Sequence, residues 1–273
     1  MAFLVKVPGV NAEGNRTNGC ERAGNVILKE LKEIYSNESG NIINTELLDL
    51  EEIHIDNSNL EITNNLIYKN SFEIFETKPK TIFLGGDHSI SYSIGRAFLD
   101  YCLNSEDVKE PCMIVFDSRA NCKEKSGEFP TNEEWLNSLI KEGFPAKNIL
   151  LVGVRNFSQK ETEFIKKNGV RTIGMTQLLE DLQDTCDVIM EFSHGKELYV
   201  SVDISVVDPI YSPSVYKQEP GGLTSRQFIY LIQRINKIKN LRALDIVEIN
   251  EQKDKERDNL TTKLGAKILA ELI

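Results

Sequence analysis

Three short segments of the sequence concentrate residue types that bind cations and transfer protons. They are Gly85-Gly86-Asp87-His88-Ser89, Asp117-Ser118-Arg119-Ala120-Asn121 and Asp203-Ile204-Ser205, and each follows a run of apolar residues. An imidazole together with carboxylates forms a ligand set that suits a divalent cation such as Mn²⁺. The alternative is ordinary turn chemistry, because Gly, Asp, Asn and Ser are also the residues that loops use. In that case His88 is a hydrogen-bonded structural residue.

The backbone sets the directions in which these side chains point. Because side chains alternate along an extended segment, Asp117, Arg119 and Asn121 are expected to share one direction. The same alternation places Asp203 and Ser205 together. Each segment can therefore present several polar groups to one site.

The elements that must position these segments alternate between short β-rich runs and longer helical patterns. Continuous apolar runs such as Met113–Phe116 are typical of strands that a parallel sheet buries on both faces. The sequence predicts strands at Phe3–Val7, Ile43–Leu50, Thr81–Leu84, Met113–Asp117, Ile149–Val154, Val170–Gly174, Leu198–Asp203 and Leu241–Val247. It predicts helices at Glu21–Ser36, Asn59–Thr77, Ile90–Cys102, Asn132–Lys141, Gln159–Asn168, Ser225–Ile238 and Thr261–Leu272.

This alternation predicts an α/β fold of three layers, α/β/α, with a mostly parallel sheet of about eight strands. We expect one domain that spans residues 1–273. In such sheets ligands bind at the carboxyl ends of the strands, which is where the three polar segments are expected to lie.

Composition and charge exclude several classes of function. The chain has 273 residues and a net charge of −10, which argues against binding to nucleic acid or to anionic membranes. No apolar run approaches the ~18 residues of a membrane span, and the N-terminal segment lacks the pattern of a signal peptide. The five cysteines form no C-x-x-C pair. We therefore expect a cytoplasmic protein with free thiols.

The order and spacing of the polar motifs resemble those of a known enzyme family. GGDHS at 85–89, DSRAN at 117–121 and SVDISVVDP at 201–209 are similar to motifs of the ureohydrolases, which include arginase, agmatinase and formimidoylglutamase. The likeness extends to 152–156, 219–224 and 244–250, and so over nearly the whole chain. The resemblance implies an arginase-like fold, attack on a guanidino or amidino carbon by a hydroxide that bridges two Mn²⁺ ions, and a homo-oligomer.

Only half of the metal-ligand positions that the resemblance implies are retained. His88, Asp117 and Asp203 stand at ligand positions. Arg119 stands where the family has a histidine, and Asn121 and Ser205 stand where it has aspartates. Arginine stays protonated in proteins and cannot bind a cation. The sequence therefore predicts that the dinuclear Mn²⁺ cluster is absent.

Two alternatives remain for the metal content. One is a metal-free site, and the other is a weak site for one Mn²⁺ in which the amide oxygen of Asn121 completes the retained set. The charge count favours the first, because Asp117, Asp203 and Arg119 together leave one net negative charge without metal. We therefore predict that Arg119 occupies the place of the second metal ion and pairs with Asp117, Asp203 or Glu248.

Two further positions concern the substrate and proton transfer. Glu248 matches the carboxylate that, in the family, pairs with the substrate's guanidinium or amidinium, a strong bidentate contact. The alternative for Glu248 is an internal ion pair with Arg119 or Arg155. Asn132 is the best match for the histidine to which the family assigns proton transfer, and an amide cannot act as an acid or base near neutral pH.

These residues predict a non-catalytic homologue of the ureohydrolases. Its expected ligand is a small guanidino or amidino cation. Alternatively, the protein serves as the partner subunit of an active homologue. The competing hypothesis is an active hydrolase of linear amidines that uses one metal ion. Because a fold alone does not determine function, other chemistry on the same fold also stays open.

Overall fold

The protein is built around one sheet of parallel strands. The computed structural model describes residues 2–105 and 108–273, so that Met1, where the predicted domain begins, lies outside the described residues. Every neighbouring pair of strands is parallel, and the strand order is β2-β1-β3-β8-β7-β4-β5-β6. The strands are β1 Phe3–Val7, β2 Leu50–Glu52, β3 Thr81–Gly85, β4 Pro111–Phe116, β5 Ile149–Val152, β6 Arg171–Ile173, β7 Glu197–Asp203 and β8 Leu241–Val247.

Helices connect the strands and cover the sheet. They are α1 Ala23–Leu31, α2 Leu60–Thr77, α3 Ile90–Asn104, α4 Trp135–Lys141, α5 Gln159–Asn168, α6 Met175–Glu180, α7 Leu182–Phe192, α8 Ser225–Ile235, α9 Glu251–Asp254 and α10 Leu260–Leu272. Two of them begin at capping boxes that the sequence indicates. Ser158 pairs with Glu161 at α5, and Thr224 pairs with Gln227 at α8.

Two apolar cores lie on the two faces of the sheet. Successive side chains of β3 enter opposite cores, with Ile82 and Leu84 in one and Phe83 in the other. The first core is closed by α1, α6, α7, α8 and α10, and the second by α2, α3, α4 and α5. The predicted three-layer α/β fold with an eight-stranded sheet is therefore confirmed. That residues 1–273 form one domain stays a prediction.

The second predicted strand, Ile43–Leu50, is wrong. Thr45–Leu47 forms a short 3₁₀ helix, and the strand β2 is Leu50–Glu52 at the edge of the sheet. The side chain of Asn44 accepts a hydrogen bond from the backbone N–H of Glu46. Such local side-chain bonds compete with strand pairing, so the apolar composition of the segment was a misleading signal.

Within residues 2–105 and 108–273, the helices are too short or too polar to cross a bilayer. This finding agrees with the absence of a long apolar run in the sequence.

The close approach of two loops generates a prediction about glycine. A Cβ on Gly86 would lie 1.9 Å from the carbonyl oxygen of Gly9, and that same oxygen accepts the N–H of Asp87 at 3.0 Å. We expect Gly86→Ala to lower the free energy of unfolding by about 3 kcal/mol or more, since the backbone itself must move. Gly127→Ala is the control, because the nearest atom to its Cβ is 3.8 Å away. Urea denaturation of both variants checks this, and similar losses in the two would contradict it.

Candidate functional site

The four central strands deliver one acidic or imidazole group each to the carboxyl edge of the sheet. His88 follows β3, Glu248 follows β8, Asp203 ends β7 and Asp117 follows β4. These strands are consecutive neighbours in the sheet, in the order β3-β8-β7-β4. All four side chains are buried. The structure thus brings together groups that lie far apart in the sequence, at the edge where parallel sheets bind ligands.

His88 lies at the centre of this cluster. Its Nδ1 is 3.1 Å from Asp117 Oδ2 and 3.4 Å from Asp203 Oδ2. Its Nε2 is 2.9 Å from the hydroxyl of Ser201, which donates to Asp245 Oδ1 at 2.9 Å. Because the proton of Ser201 is directed to Asp245, the hydroxyl oxygen accepts from His88 Nε2–H. This chain of bonds leaves Nδ1 to face the two aspartates.

The positions predicted as substituted metal ligands lie beside these aspartates. Asn121 Nδ2 donates to Asp117 Oδ2 at 2.6 Å and lies 3.2 Å from His88 Nδ1. Ser205 Oγ is 2.8 Å from Ser118 Oγ and 3.4 Å from Asp117 Oδ1. Asn121 has a left-handed backbone with φ +50°. Asparagine tolerates that conformation better than most residues.

Glu248 is a third buried carboxylate of the site. Its Oε1 accepts the backbone N–H of His88 at 3.0 Å and the amide Nδ2 of Asn132 at 2.9 Å. Its backbone has φ +69°, and backbone strain in a residue other than glycine or asparagine is often found at functional sites. Within the described part of the chain, Glu248 forms no ion pair with Arg119 or Arg155. The alternative of such an internal ion pair is therefore wrong.

Burial and mutual repulsion change the acidity of these groups. Burial, followed by the charge of Asp203, raises the pKa of Asp117 to about 6. Burial, followed by the charges of Asp203 and Asp87, raises the pKa of Glu248 to about 8. Burial alone lowers the pKa of His88, but hydrogen bonds to Asp117 and Asp203 outweigh it and the pKa rises well above its usual value. The cluster thus holds more negative charge than one imidazole can neutralise.

The predicted partner of Arg119 is wrong. Its guanidinium donates from Nη2 to Glu219 Oε2 at 2.8 Å and pairs with none of Asp117, Asp203 and Glu248 in the described structure. Glu219 also accepts from Asn156 Nδ2 at 2.7 Å. The side chains of Arg119 and Glu219 keep 29% and 20% of their exposure. Pairing at this half-open position costs less desolvation than pairing among the fully buried carboxylates.

A small cavity lies between buried acidic residues on one side and an entrance that carries positive charge on the other. It has room for about one water molecule. Asp117, Asp203 and Glu248 line the floor, and Arg119, Glu133, Tyr216 and Lys217 line the mouth. We call the first three residues the acidic floor. Lys217 forms an ion pair with Glu133, which also accepts from Lys123 Nζ at 2.8 Å.

The described residues include one donor set that could hold a metal ion. His88, Asp117 and Asp203 each offer one ligand atom, and these atoms lie within 4.8 Å of one another. Imidazole and carboxylate ligands suit a divalent transition metal. A second ion would need ligands at positions 119 and 205, where a guanidinium and a hydroxyl stand. The roles of His88, Asp117, Asn121 and Asp203 as metal ligands stay predictions.

Some residues of the site were not found from the sequence. Ser201 shares the direction of Asp203 on β7, and Asp245 is its register partner on β8, so a polar residue in each buried strand was the available signal. Glu133 and Lys217 come from long loops, whose path has no periodic pattern. Cys122 next to Asn121 is buried, and burial raises its pKa, so it is a poor nucleophile.

Comparison with known sequences identifies the class of protein that has this fold and this site. A sequence model of the arginase family matches residues 3–273. The chain therefore belongs to the arginase family.

Individual relatives include several different activities. Formimidoylglutamase of Bacillus subtilis (strain 168) is 27% identical over 263 residues, which cover 92% of this chain and 80% of that protein. The mitochondrial arginase of Medicago truncatula is 28% identical over 210 residues, covering 76% of this chain and 59% of the arginase. The chain thus matches only about three fifths of the length of the plant arginases.

Solved structures agree with the family assignment. The crystal structure of formimidoylglutamase from Bacillus subtilis superposes with a TM-score of 0.88 at 25% identity, covering 99% of this chain and 85% of that one. Proclavaminate amidino hydrolase from Streptomyces clavuligerus gives a TM-score of 0.84 at 21% identity, covering 99% and 90%. The second likeness shows the fold alone.

The raised pKa of Glu248 generates a prediction for stability in metal-free buffer. Its pKa is about 8 in the folded protein against 4.5 ordinarily, so the folded state keeps a proton that the unfolded state releases. Wild-type stability from this group is present at low pH and is lost as pH rises from about 4.5 through about 8. Glu248→Gln keeps the acceptor oxygen and cannot ionise. We expect it to match wild type within about 1 kcal/mol at pH 5 and to exceed it by at least about 1 kcal/mol at pH 9.

Urea denaturation with a chelator present measures this difference. Glu128→Gln, in an exposed loop, is the matched control and should follow wild type at both pH values. A Glu248→Gln variant that is less stable than wild type at pH 9 would show that the carboxylate is ionised and favourably held.

Proposed function

We propose that this member of the arginase family does not hydrolyse guanidino or amidino compounds through two manganese ions, and instead binds a single cation at its acidic floor. One observation carries the proposal. Asp117 and Asp203 converge on the imidazole of His88 and Glu248 accepts its backbone N–H, while the nearby cations Arg119 and Lys217 pair with Glu219 and Glu133. Buried carboxylates without a counter-ion are costly, so the floor favours a positive ligand.

The loss of two-metal chemistry follows from the side chains that would hold the second ion. Arg119 cannot act as a ligand, and Ser205 Oγ is a weak substitute for a carboxylate. Asn132 lies against Glu248 and cannot transfer protons as a histidine does. The proposal therefore describes a homologue that is non-catalytic toward the reaction of its family.

The cavity favours a metal ion among the possible cations. One divalent ion such as Mn²⁺ would be held by His88, Asp117 and Asp203, with the Asn121 amide oxygen as a fourth ligand after rotation of the amide. A guanidino or amidino ligand would place its cation against Glu248. It is larger than a single ion and would enter past Lys217 and Glu133, whose ion pair must open first.

An active one-metal hydrolase of linear amidines is the second candidate. The observation that favours it is the compact His88, Asp117 and Asp203 cluster, whose ligand atoms lie within 4.8 Å of one another. A single ion at these residues supplies Lewis acidity and lowers the pKa of a bound water molecule. The absence of an acid–base group at Asn132 weighs against this candidate.

We also propose a cytoplasmic protein that forms homo-oligomers or assembles with an active homologue. All five cysteines are buried and free, which suits a reducing compartment. Tyr35, Ile42 and Leu47 expose 81%, 80% and 64% of their surface, and exposed apolar side chains suit a subunit contact. Sedimentation of the purified protein tests the assembly, and a monomer at all concentrations would refute it.

Metal titration together with activity assays tests the main proposal. We expect at most one Mn²⁺ per chain and no release of urea or ammonia from arginine, agmatine or formimidoylglutamate. His88→Ala should weaken Mn²⁺ binding at least about tenfold, because a ligand and the contact that orients the aspartates are both lost. The exposed His194→Ala is the control. Two tightly bound Mn²⁺ ions, or turnover of any of these compounds, would contradict the proposal.

Restoring the missing ligands should restore the second ion. In the triple variant Arg119→His, Asn121→Asp and Ser205→Asp, we expect two Mn²⁺ per chain and a higher Tm in the presence of Mn²⁺ than in its absence. Metal analysis after dialysis gives the stoichiometry. A folded triple variant that still binds one ion or none would mean that the three substitutions do not explain the loss of the second site.

A further inference from the structure

Lys217 lies on the long loop between β7 and α8 and reaches the mouth of the cavity. Its side chain keeps 26% of its exposure and forms an ion pair with Glu133. Glu133 is held from its other side by Lys123, whose Nζ donates to Oε2 at 2.8 Å. Lys217 is thus attached to the opposite wall of the mouth rather than extended into solvent.

The neighbouring Tyr216 fixes the position of this loop. Its hydroxyl accepts from Arg16 Nη1 at 2.7 Å, and Lys253 Nζ lies 5.7 Å from its ring centroid. Lys217 Nζ lies 5.4 Å from the same ring. These contacts come from both ends of the chain, so the ammonium of Lys217 is held over the cavity by more than its own flexible side chain.

Lys217 lies among other positive charges at the mouth of the cavity, and these charges affect the approach of a cationic ligand. Burial, followed by the charges of Lys123, Arg119 and Arg16, lowers the pKa of Lys217 to about 8, and the charge of Glu248 opposes this shift. The protonated form of Lys217 is therefore disfavoured by burial and by the positive charges around it. Lys217 lies, however, on the route by which a second cation would approach the acidic floor.

We propose that Lys217 determines which cations reach the acidic floor, because its side chain, in an ion pair with Glu133, lies at the mouth and admits a metal ion but excludes a guanidino or amidino group. This inference rests on the proposed function, that the floor binds a cation. It also explains how a site that keeps Glu248 can fail to bind the ligands that this carboxylate suits. A planar guanidinium is larger than a single ion, so only the guanidinium must displace the ion pair between Lys217 and Glu133 at the mouth.

Calorimetric titration with methylguanidine and with Mn²⁺ tests the role of Lys217. Lys217→Ala removes both volume and charge, and we expect its affinity for methylguanidine to exceed that of wild type at least tenfold. Lys217→Met removes the charge but keeps most of the volume, and it should exclude methylguanidine as wild type does. Both variants should bind Mn²⁺ severalfold more tightly than wild type, because a nearby positive charge is gone.

A control variant and two contrary results distinguish a failure of the role of Lys217 from a failure of the proposed function. Lys141 forms an exposed ion pair with Glu124 outside the cavity, and Lys141→Ala should behave as wild type. A folded Lys217→Ala that still excludes methylguanidine overturns the inference, and so does a Lys217→Met that admits it equally well. Failure of wild type to bind Mn²⁺ refutes the proposed function instead, while the comparison with methylguanidine still decides the role of Lys217.

Discussion

The burial of three carboxylates around one histidine is the constraint on which the rest of the site depends. Asp117, Asp203 and Glu248 come from three neighbouring central strands, and the parallel sheet brings their carboxyl ends to one edge. Such a concentration of buried negative charge needs protons, a cation or hydrogen-bond donors. The chain supplies all three in part: Asn121, Asn132 and backbone N–H groups donate, His88 with its raised pKa supplies positive charge, and the raised pKa of Glu248 indicates a retained proton near neutral pH.

Residues beneath the site hold the His88 ring and the neighbouring Asp87 in place. Asp245 fixes Ser201, Ser201 fixes the ring of His88, and that ring packs against Trp135 with 4.6 Å between the centroids. Asp87 is held by Thr17 and by the backbone of Asn11 and Ser89. Each of these acids is satisfied by donors from the protein itself and needs no ligand. The acidic floor differs from them because Asp203 and Glu248 have fewer donors and its carboxylates repel one another.

Much of this arrangement could be predicted from the sequence, for reasons that particular residues make clear. Apolar runs such as Met113–Phe116 specify buried parallel strands. Parallel strands bring Asp117 and Asp203 to one edge of the sheet, and this does not depend on the structure of the loops. The partner of Arg119 was not predictable in this way. It depends on the path of the loop that carries Glu219, far along the chain, and on the small difference in desolvation between two candidate partners. Lys217 was missed for the same reason, and the strand predicted at Ile43–Leu50 failed because Asn44 makes a local turn.

The true partner of Arg119 changes the charge argument for the whole site. A count made on the sequence lets Arg119 neutralise one of two aspartates, and so favours a site that is stable without metal. With its guanidinium on Glu219, that charge no longer reaches the acidic floor. Lys217 is likewise neutralised by Glu133. The floor therefore lacks the neutralising charge that the count gave it, which supports the proposal of one bound cation. The proposal of one bound cation agrees with this, since without a cation the two aspartates are opposed by His88 and, electrostatically, by Arg155.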